Sequence, residues 1–126
     1  MPALAFSAAL VFTLCGAAPR QTCVVDGDTF WLAGEKVRIA DINAPETSQA
    51  QCPSERLRGE AAKLRLLDLL NQGPVELLDD PRSRDRYGRR LAVVLRGGKS
   101  LGSQLVAEGL AEPWRGQPSS WCAAAN

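Results

Sequence analysis

Histidine is absent from the 126-residue chain. That excludes imidazole acid–base catalysis, Ser-His-Asp and Cys-His nucleophile systems, and every His-ligated zinc or iron site. Any chemistry must rest on carboxylates, arginines, the single tyrosine, cysteines or a hard metal ion held by oxygen. The four cysteines, Cys15, Cys23, Cys52 and Cys122, include no C-x-x-C pair, so neither a zinc ribbon nor a thioredoxin-like redox site is supported. A global excess of positive charge is also missing, because 15 Lys and Arg stand against 14 Asp and Glu. A basic coat over the whole surface is therefore excluded, whereas a local anion-binding patch is not. The longest uncharged apolar stretch is Ala3–Leu14, twelve residues. That is too short to cross a bilayer, and no stable membrane insertion is expected.

What is present fits one soluble domain, with 45% apolar and 23% charged residues. The stretch over residues 1–14 reads as an apolar leader of signal-peptide type, followed by the small residues Gly16, Ala17 and Ala18, with the domain over 15–126. An alternative is that Val11–Cys15 is already a strand and the leader is shorter. An even cysteine count behind such a leader favours disulfides and a secreted or periplasmic location. Four cysteines allow three pairings. Cys15–Cys23, closing the arm before the first strand, and Cys52–Cys122, tying down the tail, are favoured over buried free thiols.

The pattern of elements predicts a β-dominated α+β fold. Cys23–Val25, Thr29–Leu32 and Val37–Ile42 read as a three-strand meander with turns at Asp26-Gly27-Asp28 and Ala33-Gly34-Glu35. Glu55–Leu70 reads as a helix with Leu57, Ala61, Leu64 and Leu67 at helical spacing, ended by Gly73-Pro74. Val75–Leu78 and Leu91–Leu95 are the fourth and fifth strands, with an arginine-rich loop between them. Ser100 caps a short second helix whose Leu101 and Leu105 face inward and whose stop is Gly109. The tail from Glu112 reads as irregular. Five strands and two helices in this order suit a Greek-key barrel of OB type, an architecture that commonly binds oligonucleotides.

Four blocks carry the functional reading: Asp26-Gly27-Asp28-Thr29, then Arg38, then Asn43-Ala44-Pro45-Glu46, then Asp85-Arg86-Tyr87-Gly88-Arg89. Singly, most have a bland explanation. An Asp-Gly hairpin turn accounts for the first, and a solvated loop accounts for Arg82, Arg84, Arg86, Arg89 and Arg90. Arg38 is harder to dismiss, because a guanidinium in a half-buried strand ordinarily pairs or binds an anion.

Together, in this order and spacing, the blocks resemble the staphylococcal (micrococcal) nuclease family of thermonuclease-like domains. Leu105–Ala111 is similar to that family's second-helix pattern, and the likeness covers roughly residues 24–111. The resemblance implies an OB-type five-stranded barrel with two helices, and one calcium site that assists hydrolysis of DNA and/or RNA to 5′-hydroxyl and 3′-phosphate ends. Carried over to this chain, Asp28, Asn43 and the backbone carbonyl of Ala44 would hold the metal. Arg38 and Arg89 would clamp the scissile phosphate, Glu46 would orient or deprotonate the attacking water, and Arg86 and Tyr87 would contact a terminal phosphate. The chemistry is coherent: two guanidiniums and a divalent cation stabilise charge developing on phosphoryl oxygens, and an oxygen-only, His-free site suits calcium or magnesium.

Departures from the family pattern are also informative. Asn43 replaces a second aspartate ligand, which lowers the expected calcium affinity. Asp41 would share a face with Asn43 in a straight strand and could compensate, or is simply a surface charge. Ala44 replaces a threonine. The base-stacking tyrosines are missing after Gly109; Trp114 or Trp121 could substitute, although covering the core is the more ordinary role for each. The sequence stops before the family's third helix, so Cys52–Cys122 is the expected fastening of the tail. The competing reading is a catalytically silent OB module that binds nucleic acid or protein. Glu46 beside a phosphate clamp argues against it, since a carboxylate there repels the ligand.

Overall fold

The computed structural model describes residues 11–117 and 119–122. Nine strands and two helices follow in chain order among them. The strands are β1 Thr13–Leu14, β2 Cys23–Asp26, β3 Thr29–Leu32, β4 Glu35–Ile39, β5 Ile42–Asn43, β6 Glu76–Arg84, β7 Arg90–Arg96, β8 Lys99–Ser100 and β9 Glu112–Pro113. The helices are α1 Pro53–Leu70, placed between β5 and β6, and α2 Leu101–Ala107, which follows β8. The main sheet runs β1-β2-β3-β4-β7-β6, with β8 pairing onto β7, and β5 and β9 form a separate small pair. β4 and β7 run parallel, with Arg38 opposite Leu91. This β-dominated architecture with two helices is consistent with the OB-type fold expected from the sequence, and the five expected strands are β2, β3, β4, β6 and β7.

One core joins the sheet to both helices: Val24, Phe30, Val37, Ile39, Ala92 and Val94 meet Leu66, Leu69 and Leu70 of α1 and Leu105 of α2. Phe12 belongs to the same core, packing edge-on against Phe30 with ring centroids 5.9 Å apart. Within residues 11–15 only Thr13–Leu14 are strand, β1, which pairs parallel to β2. Residues 1–10 of the expected leader lie outside the described residues.

The inward face of α1 differs from the one its leucine spacing indicates. Leu57 and Leu64 are 73% and 51% exposed, whereas Glu55, Gly59, Ala62, Leu66, Leu69 and Leu70 are buried. The rotation of the helix is set by close approach. A Cβ on Gly59 would lie 2.2 Å from the carbonyl oxygen of Glu46, so only glycine lets α1 come this near the loop after β5. The helix starts at Pro53, which suits a first position whose N–H has no intrahelical partner.

Two strands also differ in extent. The third expected strand is broken by a turn at residues 40–41 into β4 and β5. The fourth continues through the first arginines to Arg84, with an irregular register between Asp79 and Arg84, which shortens the true loop to residues 85–89. At the other end, Ser100 Oγ accepts from Ser103 N at 3.0 Å, the cap expected for α2. The tail opens with β9 rather than irregular chain, pairing Glu112 with Asn43. Both favoured disulfides are present, Cys15–Cys23 and Cys52–Cys122, with Cα–Cα distances of 4.9 and 6.0 Å.

Candidate active site

Hairpin turns usually face water, and this is where the ordinary reading of Asp26-Gly27-Asp28 breaks down. Asp26 and Asp28 are only 9% and 3% exposed. Asp26 Oδ1 accepts from the Asp28 amide at 3.2 Å, which closes the turn. Asp28 accepts from Thr29 Oγ1 at 3.0 Å and, through its other oxygen, from the Ala44 amide at 2.9 Å. The turn is thereby stitched to the β5 segment, and the two aspartates are held on the wall of a cleft of about 680 Å³.

Arg38, Asn43, Glu46, Arg86, Tyr87 and Arg89 line the same cleft. Four stretches of chain, three of them between residues 26 and 46 and one at 86–89, therefore converge on one space. Ala44 is buried, gives its amide to Asp28 and borders an adjacent cavity instead. Asn43 donates its side-chain amide to Glu112 Oε2 at 3.4 Å, which leaves its carbonyl oxygen as the atom able to ligate a cation.

Arg38 is fixed from several directions. Its guanidinium donates to the carbonyl oxygens of Ile39 and Ile42, lies 3.4 Å from Asp28 Oδ2, and sits 5.6 Å from the Trp114 ring centroid. Arg89 is held by Asp85, whose carboxylate takes both the Arg89 amide and its side-chain Nε. Gly88, at φ +81°, makes the tight return of this loop possible. Burial would raise the Asp85 pKa, but hydrogen bonds from Arg89 and Tyr87 outweigh it and lower the value. Arg86 and Arg89 both stand over the Tyr87 ring, at 5.2 and 5.3 Å, and Tyr87 itself is 70% exposed.

Across the cleft the balance is reversed. Burial raises the Asp26 pKa well above the ordinary carboxylate range, and the neighbouring Asp28 and Glu46 charges add to it. Glu46 is raised as well, first by burial and then by Asp28 and Glu55, against the opposing pull of Arg38 and Arg89. Asp26, Asp28 and Glu46 thus put three carboxylates on one lining, beside the guanidiniums of Arg38 and Arg89. Such a wall, built of hard oxygen donors without imidazole or thiolate, fits calcium or magnesium. A group comprising Cys52, Cys122 and Glu55 also lies together. Its sulfurs form the disulfide, which leaves no thiolate to ligate, and it is not a metal centre.

Reading the sequence alone left three site residues without a role. Asp26 was absorbed into the turn. Asp85 has no role in the motif itself, yet it orients Arg89. Glu55 was read only as the start of a helix, yet it is 5% exposed and accepts from the amides of Glu46 at 3.0 Å and Gln51 at 2.9 Å. It therefore closes the loop that carries Glu46. It stands at the third residue of α1, but the N-cap Cys52 makes no side-chain cap, so the sequence carries no capping-box signal for it.

Other expectations are corrected. Asp41 does not join Asn43, because the chain turns at residues 40–41. Its Oδ2 accepts from Ser100 Oγ at 2.7 Å, at the start of α2. Trp114 and Trp121 are not core residues: Trp114 lines the cleft under Arg38, and Trp121 lies under Arg58 at 4.8 Å.

The sequence of this β-dominated domain also matches a known family. The model described as "Staphylococcal nuclease homologue" matches residues 36–121, and the chain belongs to that family. Among its relatives are an "Uncharacterized endonuclease" of Haemophilus influenzae, 37% identical over 81% of this chain and 58% of its own length, and a "Thermonuclease" of Staphylococcus hyicus, 35% identical over 70% of this chain and 54% of its own. A "Micrococcal nuclease" of Shigella flexneri is 34% identical over 76% of this chain and 59% of its own. The chain spans between half and three-fifths of the length of these relatives.

Proposed function

We propose that this chain is an exported, calcium-assisted nuclease that hydrolyses phosphodiester bonds of DNA and/or RNA. The observation that carries the proposal is the division of one cleft into a surplus of buried carboxylate on one wall and two positioned guanidiniums, Arg38 and Arg89, beside it. The names of the relatives point the same way. Asp28 and the Asn43 side-chain oxygen would hold one calcium ion, with Asp26 supporting Asp28; the resemblance adds the backbone carbonyl of Ala44, which borders the adjacent cavity. The ion supplies charge neutralisation at the phosphate.

The remaining roles belong to the protein. Arg38 and Arg89 orient the phosphodiester and stabilise the charge that grows on its non-bridging oxygens. Glu46 takes a proton from water as the water oxygen bonds to phosphorus, and the P–O5′ bond breaks in line. The leaving oxygen gains a proton from solvent, giving 5′-hydroxyl and 3′-phosphate ends. Arg86 and Tyr87, exposed at the rim, contact a neighbouring phosphate. Two disulfides support an oxidising, secreted or periplasmic location. No helix among the described residues is long and apolar enough to cross a membrane.

The test is digestion of single- and double-stranded DNA and RNA in calcium, magnesium or EDTA, followed by end-group analysis. Cutting with 3′-phosphate ends is expected in calcium. Binding without cutting under every cation would establish the silent OB module instead.

A further inference from the structure

The short strand β9 sets a carboxylate against an amide. β5 and β9 pair antiparallel with Asn43 directly opposite Glu112, and residues so placed put their side chains on one face of the pair. Asn43 Nδ2 donates to Glu112 Oε2 at 3.4 Å. Asn43 is 6% exposed and lines the main cleft. Glu112 lines neither that cleft nor the adjacent cavity, so it reaches the site only through Asn43.

This partnership meets a need that an aspartate at position 43 would not have. A carboxylate offers oxygen whichever way it turns. An amide offers oxygen at one end and an NH2 group at the other, and only the oxygen can ligate a hard cation. The Glu112 carboxylate accepts and does not donate, so it takes the nitrogen end of Asn43 and leaves the oxygen end to the cleft. The tail that carries Glu112 is tied to the rest of the domain at two further points. The Trp114 amide donates to the Asp41 carbonyl oxygen at 3.0 Å, and Cys122 is bonded to Cys52 at the start of α1.

We infer that Glu112 is a positioning residue for the cation site: by holding the Asn43 nitrogen, it turns the Asn43 oxygen toward the metal. The inference rests on the calcium reading of Asp28 and Asn43 and deepens it. Partners of this kind, one step removed from a metal, orient the ligand and raise affinity without touching the ion. The two residues form a matched set. Glu112 matters because position 43 is an amide, and would cease to matter if that amide became a carboxylate.

The experiment uses the full chain stripped of metal, calcium chloride as the probe, and two readouts that need no cleavage. In the metal-free parent, isotope-labelled on asparagine, nuclear Overhauser contacts are expected between the Asn43 Nδ2 protons and the Glu112 side chain. By calorimetry, Glu112→Ala should raise the calcium dissociation constant about tenfold. Glu112→Gln, whose oxygen still accepts, should stay near the parent. In Asn43→Asp, where no end has to be chosen, Glu112→Ala should cost little, so the two substitutions are strongly non-additive. Absence of the Overhauser contact in the parent would overturn the inference. So would a Glu112→Ala chain, folded by circular dichroism, that binds calcium as the parent does. Equal loss from Glu112→Ala in both backgrounds, or a Glu112→Gln chain that falls as far as Glu112→Ala, would also overturn it, because either would assign the effect to charge. A parent that binds no calcium would overturn the cation reading itself, a result told apart from these by an intact Overhauser contact.

Discussion

The two sides of the cleft are built in opposite ways. Asp26, Asp28 and Glu46 sit on elements packed against the core, their surroundings fixed by backbone amides and by the close approach of Gly59. Burial first, and neighbouring carboxylates after it, raise the pKa values of Asp26 and Glu46. The arginine segment lies at the surface, and most of its charge is already answered: Arg82 pairs with Asp80, Arg84 with Glu35, Arg90 with Glu35 and Asp79. What looks in the sequence like a broad basic patch therefore offers few guanidiniums to a ligand. The acidic wall is fixed before any ligand arrives, and we propose that it frames a cation and a water. The arginine side is an adaptable rim from which Arg89 is singled out by Asp85.

The largest expected effect that could break this contrast is on the acidic side. Glu46→Gln preserves shape but removes the base. Cleavage should fall by about 10²–10⁴-fold while oligonucleotide affinity, measured by fluorescence anisotropy, holds or rises. Cleavage at the parent's rate would show that Glu46 does not serve as the base.

Next comes the clamp. Arg38→Ala and Arg89→Ala should each lower turnover by about 10²–10³-fold. Their combined loss should fall short of the sum, since both serve one developing charge. Circular dichroism must show each variant folded, because Arg38 lies within β4. Asp85→Asn should mimic Arg89→Ala more weakly, by about tenfold, through looser placement of the guanidinium.

A smaller effect separates support from chemistry. Glu55→Ala leaves two amides of the loop without their acceptor, and should cost about 1–3 kcal/mol of unfolding free energy per group left buried. Glu55→Gln keeps one accepting oxygen where Glu55 uses two, and should recover about half of that loss in urea denaturation. Equal loss in the two variants would mean that Glu55 acts by charge rather than by capping the loop.

The smallest effect concerns pH. Asp26 and Glu46 have folded pKa values above their unfolded ones, so the folded chain binds these protons more readily. Their contribution to stability is present below the unfolded values and is lost as pH rises through the folded ones. Asp85 has the opposite sign, its contribution being lost as pH falls through its lowered value. In EDTA, Asp26→Asn should therefore raise the melting temperature at neutral pH and flatten its decline with rising pH. An Asp26→Asn chain that melts lower at neutral pH would contradict the excess-charge account.

Much of the fold was legible because periodicity and turn residues act locally. The Gly73-Pro74 stop, the Ser100 cap and the five main strands are all recognisable from short stretches of chain. The face of α1 was not, because its rotation is decided by Gly59 against Glu46 and by Glu55 against two amides, contacts with a loop that helical spacing does not encode. The residues proposed as phosphate clamp and water-handling carboxylate stood out as motifs, and Arg38, Glu46 and Arg89 line one cleft. Asp26 and Asp85 were not, since their roles depend on burial and on which neighbour each carboxylate reaches. Trp114 and Trp121 were misjudged for a related reason: an aromatic in a short tail reads as core cover unless its partner, here Arg38 or Arg58, is visible.

The most direct test of the acidic wall as a cation frame is a calcium titration followed by two readouts, melting temperature and cleavage rate, in the parent and in Asn43→Asp. With an excess of carboxylate at the site, calcium should raise the melting temperature over the same millimolar range that switches on cleavage, and Asn43→Asp should move both curves together to lower calcium. Full cleavage after exhaustive chelation, or an Asn43→Asp chain whose two curves stay where the parent's are, would contradict the account.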